Sequence, residues 1–261
     1  MGVSYEINPE YAGQLKPLVE ILSGGKIPPE AECIYTGRNR LYTLRQGELT
    51  VNIKEFRIPK FPNNFIYKNL RKSKALRSYL YANELLKRGL PSPTPLAYVE
   101  ITRRGLFKKS YYVSMQSPYS ETLREWEKRA PSERDELLNA YAGLMARMHQ
   151  AGIRHLDLSP GNVLWQRNPH TGEFDFHVID LNRMKIYDRP LTLAEAFTNF
   201  RNINLIEEET RRLGYIYGQV TGLDPDECAD RAVQVLRDDR KRKQRVHRLK
   251  ALKRKKRKDR T

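Results

Sequence analysis

The 261-residue chain carries a formal net charge of +17 and has a mean hydropathy of −0.72. It contains no run of about 18 apolar residues, which excludes a predicted transmembrane helix, and its first residues lack the pattern of a secretory signal. The two cysteines, Cys33 and Cys228, suit neither a disulfide framework nor a metal motif. We therefore expect a reducing, cytoplasmic setting.

The first half of the chain predicts a small antiparallel sheet. Residues 1–30 end in the connector SGGKIPPE and are assigned to a separate N-terminal segment. Residues 31–117 then form the first lobe. It begins with a three-stranded meander, at Glu32–Thr36, Arg40–Arg45 and Leu49–Arg57.

One helix interrupts this sheet. The leucines of SKALRSYLYANELLKRG recur at helical spacing, and Gly89 is a suitable stop. Two further strands follow in LAYVEIT and KKSYYVSMQ. The first lobe is therefore predicted as a sheet with one inserted helix.

The second half is predicted to be mainly helical over residues 118–236. The stretch SERDELLNAYAGLMARMHQAG has helical periodicity, and Ser132 with Asp135 indicates a capping box. A hairpin in NVLW and FDFHVID and several shorter helices follow. Residues 237–261 hold 15 Lys/Arg and three Asp, so this basic tail carries most of the net charge; we predict a helix that frays.

Three polar residues between these helices have the pattern needed for phosphoryl transfer. His155, Asp157 and Asn162 are spaced H-x-D-x-x-x-x-N, and Asp180 follows 18 residues after Asn162 in VIDLNRM. Asp157 can accept the proton of an acceptor hydroxyl, and the oxygens of Asn162 and Asp180 can hold Mg²⁺ at nucleotide phosphates. His155 is interpreted as a brace for the loop, and Ser159 as a loop or phosphate contact.

The third predicted strand supplies a candidate phosphate anchor. Lys54 lies in VNIKEF, on the same strand face as Asn52 and Phe56. Glu84 in the inserted helix is predicted to pair with Lys54, although pairing with Arg88 at i+4 is an open alternative. The turn TGRNR, with Gly37 and Arg38, is predicted to lie over the phosphates.

Together, HLDLSPGNVLW and VIDLNRM resemble the protein-kinase-like superfamily, and within it the bacterial lipopolysaccharide kinases that phosphorylate Kdo or heptose of the inner core. The resemblance spans roughly residues 30–225. It implies an α+β, two-lobed fold, ATP and Mg²⁺ as cofactors, and adenine bound beside Gln116. It also implies a sugar or glycolipid acceptor.

Several departures from the protein-kinase pattern leave alternatives open. The metal motif reads Asp180-Leu181-Asn182, Ser159 stands where many protein kinases have Lys, and no Ala-Pro-Glu segment follows. A small-molecule or glycolipid acceptor is favoured over a protein. A RIO-like protein kinase or ATPase with an RNA-binding tail and a pseudokinase are the alternatives, and aminoglycoside and choline phosphotransferases share the scaffold.

The basic tail suits an anionic partner. An anionic membrane surface is favoured, because a lipopolysaccharide precursor is embedded in a membrane and each nearby Lys or Arg contributes about 1 kcal/mol. Nucleic acid is the second choice. The expected location is therefore cytoplasmic, peripheral at the inner face of the cytoplasmic membrane.

Overall fold

The computed structural model describes residues 2–58, 72–103, 106–203 and 205–258. The chain divides into two compact units. The first, here the sheet unit, comprises Met1–Glu121, Leu164–Gln166 and Asp175–Met184. The second, the helical unit, comprises Thr122–Val163, Arg167–Phe174 and Lys185–Thr261. This mixture of an antiparallel sheet and helices is the predicted α+β class.

The sheet unit is built on six antiparallel strands in the order β1-β5-β6-β4-β3-β2. Their bounds are β1 Gly2–Ile7, β2 Glu32–Thr36, β3 Arg40–Gln46, β4 Leu49–Glu55, β5 Pro95–Arg103 and β6 Leu106–Met115. The three strands predicted for the meander are present within two residues of their expected ends. Neighbouring chain segments pair through short turns, as an antiparallel sheet permits.

The first 30 residues belong to this unit, whereas the sequence analysis placed them in a separate segment. Strand β1 pairs with β5 along its whole length. Helix α1, Ala12–Ser23, buries Leu15, Leu18 and Leu22 against the same core as Val51 and Ile53. The apolar side chains of α1 recur three or four residues apart, so the helix covers one face of the sheet.

The second helix packs on the opposite face. Helix α2, Lys74–Lys87, places Ala75 and Tyr79 in a second core cluster with Phe56 and Tyr98. Side chains alternate along a strand, so Val51 and Ile53 of β4 face α1 while the intervening residues face α2. This alternation puts Lys54 on the α2 face.

The helical unit is formed around a long helix. Its helices are α3 Pro131–Gln150, α4 Leu193–Phe197, α5 Glu207–Thr221 and α6 Pro225–Lys258. Five short strands lie outside the six-stranded sheet, and most of β9 and β10 belongs to the sheet unit. They are β7 Glu121–Thr122, β8 Ile153–His155, β9 Val163–Arg167, β10 Phe174–Val178 and β11 Met184–Ile186. The predicted hairpin is β9 with β10, and β8 pairs with β11.

The predicted capping box at Ser132 is wrong. Helix α3 begins at Pro131, its cap is Ala130, and the cap makes no side-chain hydrogen bond. Proline is favoured at the first helical position because its fixed φ suits a helix and it has no N–H to satisfy. Ser132 is therefore already inside the first turn.

The basic tail continues helix α6 without a break to Lys258. The helix is still packed beyond position 237, because Asp239 is buried and pairs with Arg242 and Lys243. Arg237 also pairs with Glu207 of α5. The sequence boundary at 237 thus falls within the packed part of α6. Among the described residues, no helix has both the length and the apolar composition to span a membrane.

Candidate active site

A cavity of about 290 Å³ opens on the α2 face of the sheet unit. Strands β4 and β6 form one wall, and residues 178–181 after β10 form another. Lys54 and Asp180 line it and form a direct ion pair. The structure thus brings together two of the predicted site residues that lie 126 positions apart.

The backbone and a neighbouring amide fix Asp180. Its φ of +57° is the one positive value for a non-glycine residue within the described part of the chain, and Asp tolerates this left-handed region better than most residues. The buried Asn182 donates from Nδ2 to Asp180 Oδ1 at 2.8 Å. Asn182, in the position of glycine in Asp-Phe-Gly, therefore orients the carboxylate.

Glu84 does not reach this cavity. Its carboxylate pairs with Arg88 at 2.6 Å, one turn along α2. The α2 residue that lines the cavity is Ser78, and Glu84 is rotated about 120° around the helix from it. Asp180 is the only carboxylate among the described residues that line the cavity. The carboxylate partner of Lys54 in this structure is therefore Asp180.

The far end of the cavity is polar. Gln116 accepts a hydrogen bond from Asn52 Nδ2 at 2.8 Å, and its backbone N–H donates to the carbonyl of Thr50 at the start of β4. Ser117 hydrogen-bonds His177 at 2.9 Å, and burial lowers the pKa of that histidine. The predicted adenine-binding position, Gln116, lines the same cavity as Lys54.

A second lysine lies close to Lys54. The ring of Phe56 has Lys54 Nζ at 5.4 Å and Lys74 Nζ at 5.9 Å from its centroid. Burial, then the charges of Arg38 and Arg77, lower the pKa of Lys74. Sequence reasoning missed Lys74; its place at the first position of α2, after the capping Ser73, was the available signal.

Gly37 and Arg38 line a different cleft from Lys54. Ile34 and Leu41, from the strands on either side of that turn, line the Lys54 cavity instead. Tyr35 covers the turn, because a Cβ at position 37 would lie 2.5 Å from the Tyr35 hydroxyl. The predicted position of this turn over the phosphates thus remains a proposal.

The loop with Asp157 lies in the helical unit. His155 is fully buried, and its Nδ1 accepts the backbone N–H of Asp157 at 3.1 Å. Asn162 donates from Nδ2 to the carbonyl of Asp157 at 2.8 Å, and this hydrogen bond does not use the amide oxygen. Ser159 contributes its backbone, which accepts from the N–H of Asn162. Hydrogen bonds within the loop thus fix Asp157 and Asn162 relative to each other.

A buried polar chain supports this loop from below. Asn199 donates to the carbonyl of His155 at 2.5 Å, and its Oδ1 meets His149 Nε2 at 2.9 Å. His149 Nδ1 in turn meets the hydroxyl of Tyr217 at 2.9 Å. Burial lowers the pKa of His149 to about 4, so the imidazole is neutral at pH 7. The chain links α3 and α5 to the loop.

Arg124 packs directly on the loop. A Cβ at position 161 would lie 2.5 Å from Nη2 of Arg124, so a larger residue there would displace the guanidinium from its present position. Arg124 comes from the short 3-10 helix Leu123–Lys128. Arg124 thus places a cation against Gly161, which lies between Asp157 and Asn162 in the sequence. In the same loop, Ser159 stands where many protein kinases have lysine. Sequence reasoning missed Arg124, and no motif marked it.

The family model of the lipopolysaccharide kinase (Kdo/WaaP) family matches residues 37–204, about two-thirds of the chain. The chain belongs to this family of kinases. The family match confirms the resemblance that HLDLSPGNVLW and VIDLNRM indicated.

Curated relatives and a solved structure agree with the family. The chain is 30% identical over 115 residues to a 3-deoxy-D-manno-octulosonic acid kinase of Xanthomonas axonopodis pv. citri, covering 44% of this chain and 45% of the relative. It is 27% identical over 141 residues to the corresponding kinase of Xanthomonas campestris pv. campestris strain B100, covering 54% of this chain and 52% of the relative. The chain thus spans about half the length of the curated relatives it matches.

The solved structure described as WaaP in complex with acyl carrier protein superimposes with a TM-score of 0.58 at 16% identity. The match covers 91% of this chain and 98% of that one. At this identity the likeness shows the fold, and it confirms the predicted protein-kinase-like architecture.

Proposed function

We propose that the protein is an ATP-dependent kinase that phosphorylates a sugar hydroxyl, of Kdo or heptose, in the lipopolysaccharide inner core. The observation that carries this proposal is the Lys54–Asp180 pair in a cavity with a polar far end at Gln116. A cation and a carboxylate at one end and the polar groups of Asn52 and Gln116 at the other suit a nucleotide. The family supplies the acceptor class.

The nucleotide would lie along β4. Its base would occupy the end at Gln116, and its phosphates would meet Lys54, with Lys74, which also lies near the ring of Phe56, adding a second positive charge. Asp180 holds Lys54 in place in this structure. We therefore assign to Asp180, instead of Glu84, the role of pairing with Lys54 before the nucleotide binds. When the nucleotide is bound, Lys54 would contact its phosphates and Asp180 would contact Mg²⁺.

The donor atoms fit Mg²⁺. Asp180 offers a carboxylate oxygen, and Asn162 offers an amide oxygen that its hydrogen bond to Asp157 does not use. Mg²⁺ in kinases uses one or two protein oxygens and takes its other ligands from phosphates and water. Among the described residues, no group of three or more His, Cys, Asp or Glu side chains could hold a metal ion by itself. When bound, the ion would neutralise phosphate charge.

Asp157 would serve as the catalytic base. It is half-buried on a loop fixed by His155 and Asn162, and a carboxylate there can align the acceptor hydroxyl and take its proton. We assign the cation next to the transferring phosphate to Arg124, in place of the lysine that Ser159 replaces. A guanidinium stabilises the charge that develops on the phosphoryl oxygens.

The basic end of α6 would contact an anionic membrane surface. Residues 240–249 are all exposed. Among them, Val246 and Leu249 add exposed apolar area. Basic side chains with interspersed apolar ones suit a lipid surface. This surface would place a peripheral enzyme beside a membrane-embedded acceptor at the cytoplasmic face. Nucleic acid is the alternative partner.

The test is transfer of labelled γ-phosphate from ATP with Mg²⁺ to a Kdo-containing lipid A precursor, beside a generic protein substrate. Wild type is compared with Asp157→Ala and Asp180→Ala. We expect label in the glycolipid that both substitutions abolish. Label only in protein would contradict the proposal and favour a RIO-like kinase, and no label in either acceptor would favour a pseudokinase.

A further inference from the structure

A second cleft lies at the tip of the sheet unit, separate from the nucleotide cavity. It has a volume of about 330 Å³ and shares no lining residue with the cavity of Lys54. The turn after β2, the residues following β4 and the start of β6 enclose it. Its charged lining residues are Arg38, Arg40, Arg57, Lys108, Lys109 and Glu55.

Five of these six groups are cationic, so the cleft is strongly positive. Glu55 is the only acid among the described residues that line it, and it is engaged by Lys109 at 3.7 Å and by the Tyr42 hydroxyl at 3.5 Å. The side chains of Arg57 and Lys108 form no ion pair within the described structure. Like charges held together around a concave surface favour the binding of an anion.

Strand β4 shows where this cleft lies relative to the nucleotide. Asn52 is at the base end, Lys54 is at the phosphate end, and Phe56 and Arg57 line the cleft. Glu55, the residue after Lys54 and the last of β4, also lines the cleft, so the cleft begins next to the phosphate anchor along the chain. Lys54 Nζ lies 5.4 Å from the centroid of the Phe56 ring, and Phe56 also lines the cleft. An acceptor approaching the terminal phosphate from this end would meet the cleft.

We propose that this cleft binds the carboxylate of an acidic sugar acceptor, and that it selects Kdo, a sugar acid, over heptose, which is neutral. The inference rests on the proposed function and identifies the acceptor class for the same site. Guanidinium groups bind carboxylates through paired, charge-assisted hydrogen bonds. A neutral sugar has no negative charge with which to pair these cations.

The test measures binding without turnover. Full-length protein is titrated with free 3-deoxy-D-manno-octulosonic acid, with its methyl ester and with inorganic phosphate, while NMR follows the Nε–Hε signals of arginine side chains. The variants are Arg57→Gln and Lys108→Gln. Arg45→Gln is the matched control, because Arg45 is exposed on neighbouring β3 outside the cleft.

We expect the sugar acid to shift the Arg57 signal and the ester to leave it unchanged. Each cleft substitution should raise the Kd of the acid about tenfold, the loss of one charge-assisted contact, while Arg45→Gln should match wild type. Equal binding of acid and ester, no shift at Arg57, tighter binding of inorganic phosphate than of the acid, or an equal loss in Arg45→Gln would each overturn the proposal. Absence of phosphate transfer by wild type would instead contradict the proposed function.

Discussion

At the scale of single residues, the site depends on which carboxylate holds Lys54. In this structure the carboxylate is that of Asp180, kept in a left-handed conformation and oriented by Asn182. A non-glycine residue in this region costs free energy, and such strain is concentrated at functional sites. Glu84 is occupied by Arg88. The two carboxylates therefore have different roles, which substitution separates.

Lys54→Met should raise the KM for ATP by about a hundredfold, because it removes a charge-assisted contact to phosphate. Glu84→Gln should change that KM by less than about twofold, because Glu84 pairs with Arg88 and does not line the cavity, and an i,i+4 pair on a helix contributes about 0.5 kcal/mol or less. Steady-state kinetics on both variants check this. Equal losses in the two variants would show that Glu84 does support Lys54.

Arg124→Gln should lower kcat by about a hundredfold with a smaller change in the KM for ATP, because Arg124 would act on charge that develops in the transition state. Lys128→Gln, in the same short helix, is the control for the general loss of one cation. Steady-state kinetics on both variants measure kcat and the KM for ATP. A kcat that is unchanged in Arg124→Gln would limit Arg124 to packing on Gly161.

The motif residues could be predicted from the sequence because they lie close together in it. The residues that contact them could not be predicted, because they come from distant parts of the chain. The spacing H-x-D-x-x-x-x-N defines a loop within eight residues. Arg124 reaches Gly161 from 37 positions earlier, and Asn199 reaches the carbonyl of His155 from 44 positions later. Lys74 and Lys54 both lie against the ring of Phe56. Contacts between distant segments leave no periodic signal in the sequence.

At the scale of elements, the buried chain Tyr217–His149–Asn199 makes helix packing and the Asp157 loop interdependent. It spans α3 and α5 and ends on a backbone carbonyl of the loop. Local patterns predicted these helices well, since their apolar positions recur every three or four residues. They did not predict β1, whose residues are largely exposed at the sheet edge, because edge strands lack a clear alternation of apolar residues.

The lowered pKa of His149 predicts acid sensitivity. The folded-state pKa is about 4 and the ordinary value is 6.5, so the unfolded state binds more protons between these pH values. The part of the unfolding free energy that depends on neutral His149 is therefore fully present above pH 6.5. It falls by about 3 kcal/mol as the pH decreases toward 4.

Denaturant unfolding at several pH values measures this loss. The substitution His149→Asn should lower stability at pH 7 and remove much of the slope, whereas His170→Asn, at an exposed turn, should leave the slope unchanged. An identical pH slope in wild type and His149→Asn would show that another group causes the acid sensitivity.

At the scale of the whole molecule, charge is concentrated in one element. Residues 244–261 hold ten Lys/Arg and one Asp, and they follow the last turn of α6 that packs through Asp239. Composition alone identified this basic segment. The packed stretch up to Lys243 could not be separated from it, because its contacts are made with residues 30 or more positions earlier.

Deletion of residues 244–261 should therefore abolish binding to vesicles that contain an anionic lipid and leave thermal stability unchanged. Each basic residue near such a surface contributes about 1 kcal/mol, and the deletion spares the ion pairs of Asp239. Sedimentation with phosphatidylglycerol vesicles, and with phosphatidylcholine vesicles for comparison, measures this binding. Tight, salt-sensitive RNA binding by full-length protein, with no vesicle binding, would contradict the membrane assignment.

The most direct test of the central claim is the mass of the lipopolysaccharide core from a strain in which this gene is deleted and then restored as wild type or as Asp157→Ala. We predict that deletion removes one phosphate group from a core sugar, that wild type restores it, and that Asp157→Ala does not. A fully phosphorylated core in the deletion strain, or restoration by Asp157→Ala, would contradict the account.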